Sequence, residues 1–306
     1  MSFSEDVRAE LAGIAPTREC DRLAELSALF HLAGRLHLLG RGKVSLHLDL
    51  SSPAAARRAF RLLRSFGLRS EIRTYQRHAF GRETRYQLHL EGGAAVLEVL
   101  ERAVVVDARS RPRDRPPKRV VARSCCRSAY VRGALLAAGS VSPPPSPHLE
   151  VRSESREGAE AVAAAAAAEG GELRVAARAD HSIAYAKGLD RIAGVLAAAG
   201  ASEAALALQE RAVVGFTRAH ANRLANADHA NLVRASRAAR AQLAAVRRLE
   251  RRGRLEELSP PLREIATLRL KHPSLSLREL GGKCDPPVTK ASAHRRLRAI
   301  ERFAQR

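Results

Sequence analysis

The first two thirds of this chain write one order of elements twice. A lead helix expected over Cys20–Ala33 stops at Gly34, and another over Cys126–Ala138 stops at Gly139, 105 residues further on. After each comes a strand, a helix, two strands and a helix. In the first copy, Lys43–Leu50 places Val44, Leu46, Leu48 and Leu50 on one face and Ser45, His47 and Asp49 on the other, the period of a half-buried strand. Pro53 opens a helix to Phe66 that Gly67 closes, and strand-like runs at 71–77 and 84–90 lead to a helix over 94–102. In the second copy, a Pro-rich loop precedes a strand at 148–152 and an Ala-rich helix at 157–168; a hairpin of 172–178 and 182–187 then leads to a helix over 189–199. A further helix opens the chain at Ser4, with Ser4 expected as its cap and Glu5 and Asp6 suiting its positive end. Such a repeat demands two similar halves, joined here through an Arg/Pro-rich stretch at 109–118.

Beyond Glu203 the strand pattern ends. Two long helices are expected, 203–225 and 230–252, broken near Asn226-Ala227-Asp228. Residues 219–306 hold 20 Lys/Arg against 8 Asp/Glu, more than half of the chain's net charge of +21. That excess selects polyanions, nucleic acid first and an anionic membrane surface second. No apolar run approaches the ~20 residues that cross a bilayer. The acidic start, Ser4-Glu5-Asp6, is unlike a signal peptide, so a cytoplasmic location is expected.

The final fifty residues give this charge a geometry. Pro261 starts a helix with Leu262, Ile265, Leu268 and Leu270 facing inward. Ser276 and Glu279 have the spacing of a capping box for a second, short helix that Gly281-Gly282 ends. Asp285-Pro286-Pro287 then keeps the chain out of helix. Thr289 is the expected cap of a third helix, buried along Val288, Ala293, Leu297, Ile300 and Phe303. This is the layout of a helix-turn-helix, whose last helix enters the DNA major groove and reads bases near its N-terminal end. Lys290, Ala291, Ser292, His294 and Arg295 are the candidates for base or groove contact, and Arg296 and Arg298 for phosphates. Arginines at 234, 237, 240, 247, 248, 251 and 252 read as a solvated face.

The lead helices carry related text, LSALFHLAG at 26–34 and VRGALLAAG at 131–139. Ala28, Ala33 and Gly34, and Gly133, Ala137 and Gly139, are small enough to let two helix backbones approach closely. The pair resembles the LAGLIDADG motif of homing endonucleases, which joins two αββαββα halves into a saddle. That resemblance implies an acid at the eighth motif position of each half, holding the metal ions of phosphodiester cleavage. Here those positions are Ala33 and Ala138, which offer no oxygen to a hard cation. His31 and His37 lie nearby without counterparts in the second half. Neither a catalytic residue, a metal site nor any cofactor is expected. The cysteines, at 20, 125, 126 and 284, form no Cys-x-x-Cys pair and read as small buried or semi-buried thiols.

Several runs are similar to the WhiA family of bacterial regulators: SCCRSAYVRGALLAAGSV at 124–141, NRLAN at 222–226, PPLREIATLRLKHP at 260–273, and DPPVTK with HRRLR within 285–298. The resemblance covers nearly the whole chain, departing at the Ala/Pro-rich 143–168. It implies an α+β fold: a duplicated αββαββα LAGLIDADG-like saddle with a C-terminal all-α helix-turn-helix domain. The expected division is 1–110 for the N-terminal extension and first half, 111–120 linker, 121–218 second half and 219–306 helix-turn-helix domain. The implied role is a nucleoid-associated transcription regulator of sporulation, cell division and chromosome segregation, with nuclease activity lost. The implied partners are promoter DNA, RNA polymerase and a WhiB-like iron–sulfur protein. The alternatives are a metal-dependent LAGLIDADG endonuclease and a scaffold that uses the tail as a nonspecific basic anchor.

Overall fold

The computed structural model describes residues 2–40, 43–77, 83–92, 94–107, 109, 111–113, 115–116 and 118–305. The chain separates into two compact units, Met1–Phe216 and Thr217–Arg306.

The first unit opens with α1 (Phe3–Gly13) and the lead helix α2 (Glu19–Ala33), then β1 (Gly34–Gly40), β2 (Lys43–Leu50), α3 (Pro53–Arg64), β3 (Glu71–Arg77), β4 (Glu83–Gly92) and α4 (Ala94–Arg102). The second copy runs α5 (Ser124–Ala138), β5 (Gly139–Ser142), β6 (His148–Ser153), α6 (Arg156–Ala167), β7 (Arg174–Ala177), β8 (Ser182–Lys187) and α7 (Leu189–Ala199). Each copy forms an antiparallel four-stranded sheet, in the orders β1-β2-β4-β3 and β5-β6-β8-β7. The identical topology bears out the duplication.

Two strands are additions to the sequence reading. β1 and β5 start at Gly34 and Gly139, where the lead helices end, and each pairs with the strand that follows it. β5 is only Gly139-Ser140-Val141-Ser142, too short to declare an alternating pattern, and its pairing with β6 defines it. With them each half is αββαββα. Leu46, Leu48 and Leu50 are buried as expected, while the side chain of Val44 lies outside the described residues.

The helix caps show a second correction. Ser2, not Ser4, caps α1 by accepting from the Glu5 amide. Ser4 instead bonds β5, its hydroxyl lying 2.8 Å from the Val141 carbonyl and 2.7 Å from the Val141 amide. Pro53 starts α3 as read, and the structure adds Ser52 as its cap, the hydroxyl accepting from the Ala54 and Ala55 amides. The Arg/Pro-rich stretch folds back on the end of the first half: Val106 bridges Pro112, and the Asp107 carboxylate accepts from the amides of Arg109 and Arg111.

One core serves both halves. Leu26, Ala28, Leu29, Ala129, Ala134 and Leu136 of the lead helices meet in it. Each buried leucine contributes roughly 1.5–3 kcal/mol. Aromatic residues are only 4% of the chain, and small residues such as Ala159, Val162, Ala165 and Ala166 fill the contact of α6 with its sheet.

The helix α8 runs from Ser202 to Arg251 without the expected break at Asn226-Ala227-Asp228. Asn and Asp cost a helix only about 0.7 kcal/mol each, and no proline stands there to stop it. The second unit then contains α9 (Pro260–Lys271), α10 (Leu277–Gly282) and α11 (Lys290–Phe303). Its own core joins Val246 and Leu249 to Leu258, Ile265, Ala293, Leu297 and Ile300.

Candidate nucleic-acid interface

The three short helices of the second unit are fixed by local chemistry that the sequence announces. Ser276 and Glu279 make both bonds of a capping box on α10. Thr289 caps α11 by accepting from the Ser292 amide. Gly281 sits directly against the Val288 carbonyl, where a Cβ atom would collide, and its own carbonyl accepts from the Val288 amide at 2.8 Å. Glu264 of α9 ties the turn down, accepting from the Asp285 amide at 2.6 Å.

Arg269 was not anticipated. It is buried, donating to the carbonyls of Leu275 (2.7 Å) and Pro273 (3.4 Å) and to the side-chain oxygen of Gln242 (2.9 Å). Burial pulls its guanidinium below the usual range. It therefore holds α8, α9 and the loop before α10 together, a role invisible in a run of alternating leucines and basic residues.

On α11, Ala293, Leu297, Ile300 and the following Ala304 are buried; Val288 and Phe303 pack partly against them. Lys290, Ala291, His294, Arg295 and Arg298 are exposed, while Ser292 and Arg296 are half-buried. At 3.6 residues per turn, positions 291, 295, 298 and 302 form the stripe opposite the buried one. Arg302 is exposed and completes this stripe one turn past the candidates read from the sequence. Arg298 is held by Glu301 at 3.2 Å, and Arg296 turns toward Glu264 at 3.5 Å. The exposed cations thus cluster on one outward face.

In the first unit, the lead helices α2 and α5 cross at small residues. A Cβ on Gly133 would lie 2.5 Å from the Glu25 carbonyl and 2.9 Å from the Ala28 Cβ. Next to that crossing lies a buried ion cluster that sequence reading missed. Glu25 accepts from Arg58 through both oxygens, at 2.6 and 2.8 Å, and from Arg132 at 3.3 Å. Arg132 also donates to the Ala199 carbonyl at 3.3 Å.

Ala33 and Ala138 stand at the C-terminal ends of the crossing pair, half-buried. A hard divalent cation at those ends needs oxygen donors, and two methyl groups do not fit it. His31 bonds the Ser27 hydroxyl at 3.3 Å, and burial lowers its pKa to about 4. His37 stacks on His47, which stacks on His89, with ring centroids 5.1 and 5.6 Å apart. Burial and the two flanking rings lower the pKa of His47.

The cysteines are free thiols, buried or half-buried as read, but three of them stand together. Cys20 and Asp21 of α2 meet Cys125 and Cys126 of α5, with one donor atom from each within 4.8 Å of all the others. Among the described residues this is the one group of three or more His, Cys, Asp or Glu donors gathered so closely. Burial, with Cys20, Asp21 and Cys125 around it, pushes the Cys126 thiol up. Spacing could not reveal the group, because its members come from two halves of the chain.

Comparison with known proteins matches three family models along the chain. The WhiA N-terminal LAGLIDADG-like domain matches 19–105, the WhiA LAGLIDADG-like domain 127–218 and the WhiA C-terminal HTH domain 221–304. The "Probable cell division protein WhiA" of Symbiobacterium thermophilum is 38% identical over 309 residues, covering 100% of this chain and 98% of that protein. The protein of the same name from Streptomyces griseus is 37% identical over 318 residues, covering 100% and 93%. The crystal structure of full-length DUF199/WhiA from Thermatoga maritima aligns with a TM-score of 0.58 at 22% identity, covering 100% of this chain and 98% of that one. It supports the fold described above.

Proposed function

The chain belongs to the WhiA family, and on that premise we propose that it is a sequence-specific DNA-binding regulator of transcription, reading promoters with α11. The observation that carries this reading is the outward face of α11: Lys290, Ala291, His294, Arg295 and Arg298 exposed on a helix whose opposite stripe is buried in a capped three-helix scaffold. Backbone amides, Arg298 and Arg302 suit phosphates; Lys290, Ala291, Ser292, His294 and Arg295, nearer the N-terminal end, suit base edges. In this reading 219–306 is the DNA-binding domain, and 1–110 and 121–218 are the halves of a scaffold joined through 111–120.

The same reading makes the saddle non-enzymatic. Ala33 and Ala138 leave the crossing ends without the carboxylates that metal-dependent strand cleavage requires. The relatives carry a cell division name, and we extend that role to this chain as control of cell division, chromosome segregation and sporulation genes at the nucleoid. The partners that belong to it are RNA polymerase and a WhiB-like iron–sulfur protein.

Genome-wide mapping of bound sites tests the proposal. The full chain should occupy discrete promoters, and a chain lacking 219–306 should lose them while its first unit stays folded. Binding should weaken with salt, log affinity falling by about 0.9 per phosphate neutralised per log unit of salt. Equal affinity for promoter and random DNA at physiological salt would overturn it. Incubation of DNA with the chain and Mg²⁺ or Mn²⁺ should give no cutting; cleavage abolished by changes in α2 and α5 would restore the endonuclease reading.

A further inference from the structure

We propose that Cys20, Asp21, Cys125 and Cys126 form a tetrahedral site for a thiophilic divalent cation of the zinc class, clamping the first turn of α2 to the first turn of α5.

The duplication builds this site. Cys20 and Cys125 lie 105 residues apart, the offset that also relates Gly34 to Gly139, and Asp21 and Cys126 share that offset. The two dipeptides therefore occupy matching places in the two halves, and the crossing of α2 with α5 brings them face to face. Each half supplies two donors, so the cluster exists only when both halves are folded together.

The spacing fits one central ion. Bonds of about 2.3 Å to sulfur in a tetrahedron place the sulfurs roughly 3.8 Å apart, and a carboxylate oxygen slightly closer. The Cys125 and Cys126 sulfurs are 3.9 Å apart, and the Cys20 sulfur is 3.5 Å from the Asp21 oxygen. No one of the four donor atoms exceeds 4.8 Å from another. The sulfurs are too far apart for a disulfide bond, whose S–S length is about 2.04 Å.

The four donors converge on one another, with the exposed Arg18 beside them. Asp21 is buried, and the partners around its carboxylate are thiols, weak donors, with the Cys20 sulfur 3.5 Å away. Thiols are weak partners for a buried carboxylate, and a metal ion held between them is a far stronger one. Cys126 is also buried, inside the same cluster. Cys20 and Cys125 are half-buried, which leaves a route for an ion to enter. Arg18 is exposed at the rim, beside Cys125 and within electrostatic reach of Asp21 and Cys20.

The surrounding backbone favours negative charge. Neither α2 nor α5 has a side-chain cap on its first turn. Both helix N-termini thus direct free amides and a partial positive charge at the donors, which stabilises thiolates. Three thiolates select a soft or borderline cation over magnesium or calcium. As the ion binds, each of the three thiols releases its proton to solvent and each sulfur forms one bond to the metal. Four protein ligands close the coordination sphere, so the site is structural rather than catalytic.

The test uses the reduced full-length chain, stripped with a chelator and titrated with Co²⁺ as an optical stand-in, then with Zn²⁺. One Co²⁺ per chain should bind, with the visible bands of tetrahedral thiolate coordination, and Zn²⁺ should displace it. Binding should release protons and raise the Tm of the first unit. C126S and C20S should lose the bands, D21N should bind more weakly with shifted bands, and C284S should behave as the parent chain. D21N is nearly isosteric, so it keeps the test decisive should the cysteine variants fail to fold. Absence of binding to a chain whose thiols are all reduced would overturn the proposal. So would an unaltered spectrum and affinity in folded D21N, or bands that persist in folded C126S. Isolation of the metal-free chain with a disulfide among Cys20, Cys125 and Cys126 would assign the cluster to redox chemistry instead.

Discussion

Arg296 turns inward to Glu264, 3.5 Å away, and thereby parts company with Arg295, its exposed neighbour on α11. Two adjacent arginines on one basic helix consequently have different work. Arg295 has no acidic partner among the described residues, and its guanidinium is available to a groove. Arg296 instead joins α11 to the helix that holds the Asp285 turn. Arg295→Ala should cost about 1–3 kcal/mol of promoter affinity, leave the Tm unchanged and relax preference at one position of the site. Arg296→Ala should lower stability by up to about 1 kcal/mol, with a smaller loss of selectivity. Binding titrations on promoter and scrambled DNA, paired with thermal melts, separate the two; the reverse pattern would show that the outward stripe does not read DNA.

Gly281 is the tightest point of the reading unit. A Cβ there meets the Val288 carbonyl, and Val288 is the residue whose amide closes the turn at 2.8 Å. Gly281→Ala should displace Val288, and with it the Thr289 cap at the start of α11. Strain of this kind costs typically 1–3 kcal/mol, so the variant should melt its second unit early and bind promoter DNA weakly. Gly282→Ala is the control, because open space surrounds that position. Equal melts for the two variants would remove the glycine argument.

The Glu25 cluster should dominate the stability of the saddle. Its carboxylate is fully buried between Arg58 and Arg132, one from each half. Glu25→Gln leaves two buried guanidiniums without a counter-charge, and breaking a buried pair in this way costs roughly 3–5 kcal/mol. Urea unfolding of the first unit should show this loss with little change in slope. A loss under about 1 kcal/mol would mean that water reaches the cluster and screens it.

What could be read from the sequence was what short-range chemistry dictates. The lead helices, the Ser276–Glu279 box and the Thr289 cap depend on neighbours within one turn, and all three appear as expected. β5 was missed because four residues make a strand only through their partner β6. The break in α8 was over-read, because Asn226 and Asp228 weaken a helix without blocking its hydrogen bonds. Ser4 was mistaken for the cap because its real partner, Val141, lies in the other half of the chain. Distance in sequence likewise hid the Glu25 cluster and the four-donor group of Cys20, Asp21, Cys125 and Cys126. Within the reading unit, the stripe of α11 was legible from its period, whereas the inward turn of Arg296 depends on where α9 places Glu264.

His31 should make the fold sensitive to acid. Burial lowers its pKa from 6.5 to about 4, so the folded chain keeps the ring neutral where an unfolded chain would protonate it. Between those two values the unfolded state binds more protons, and stability must fall as the pH falls. The shift corresponds to roughly 3 kcal/mol, present in full above the upper value and lost by the lower one. The matching place in the second half is Leu136, buried without difficulty, so leucine suits this position on a lead helix. His31→Leu should therefore flatten the decline in unfolding free energy measured from about pH 7.5 to about pH 4.5. Other titrating groups are common to both proteins and cancel in the difference. Parallel curves for the two proteins would show that the folded chain accommodates the protonated ring.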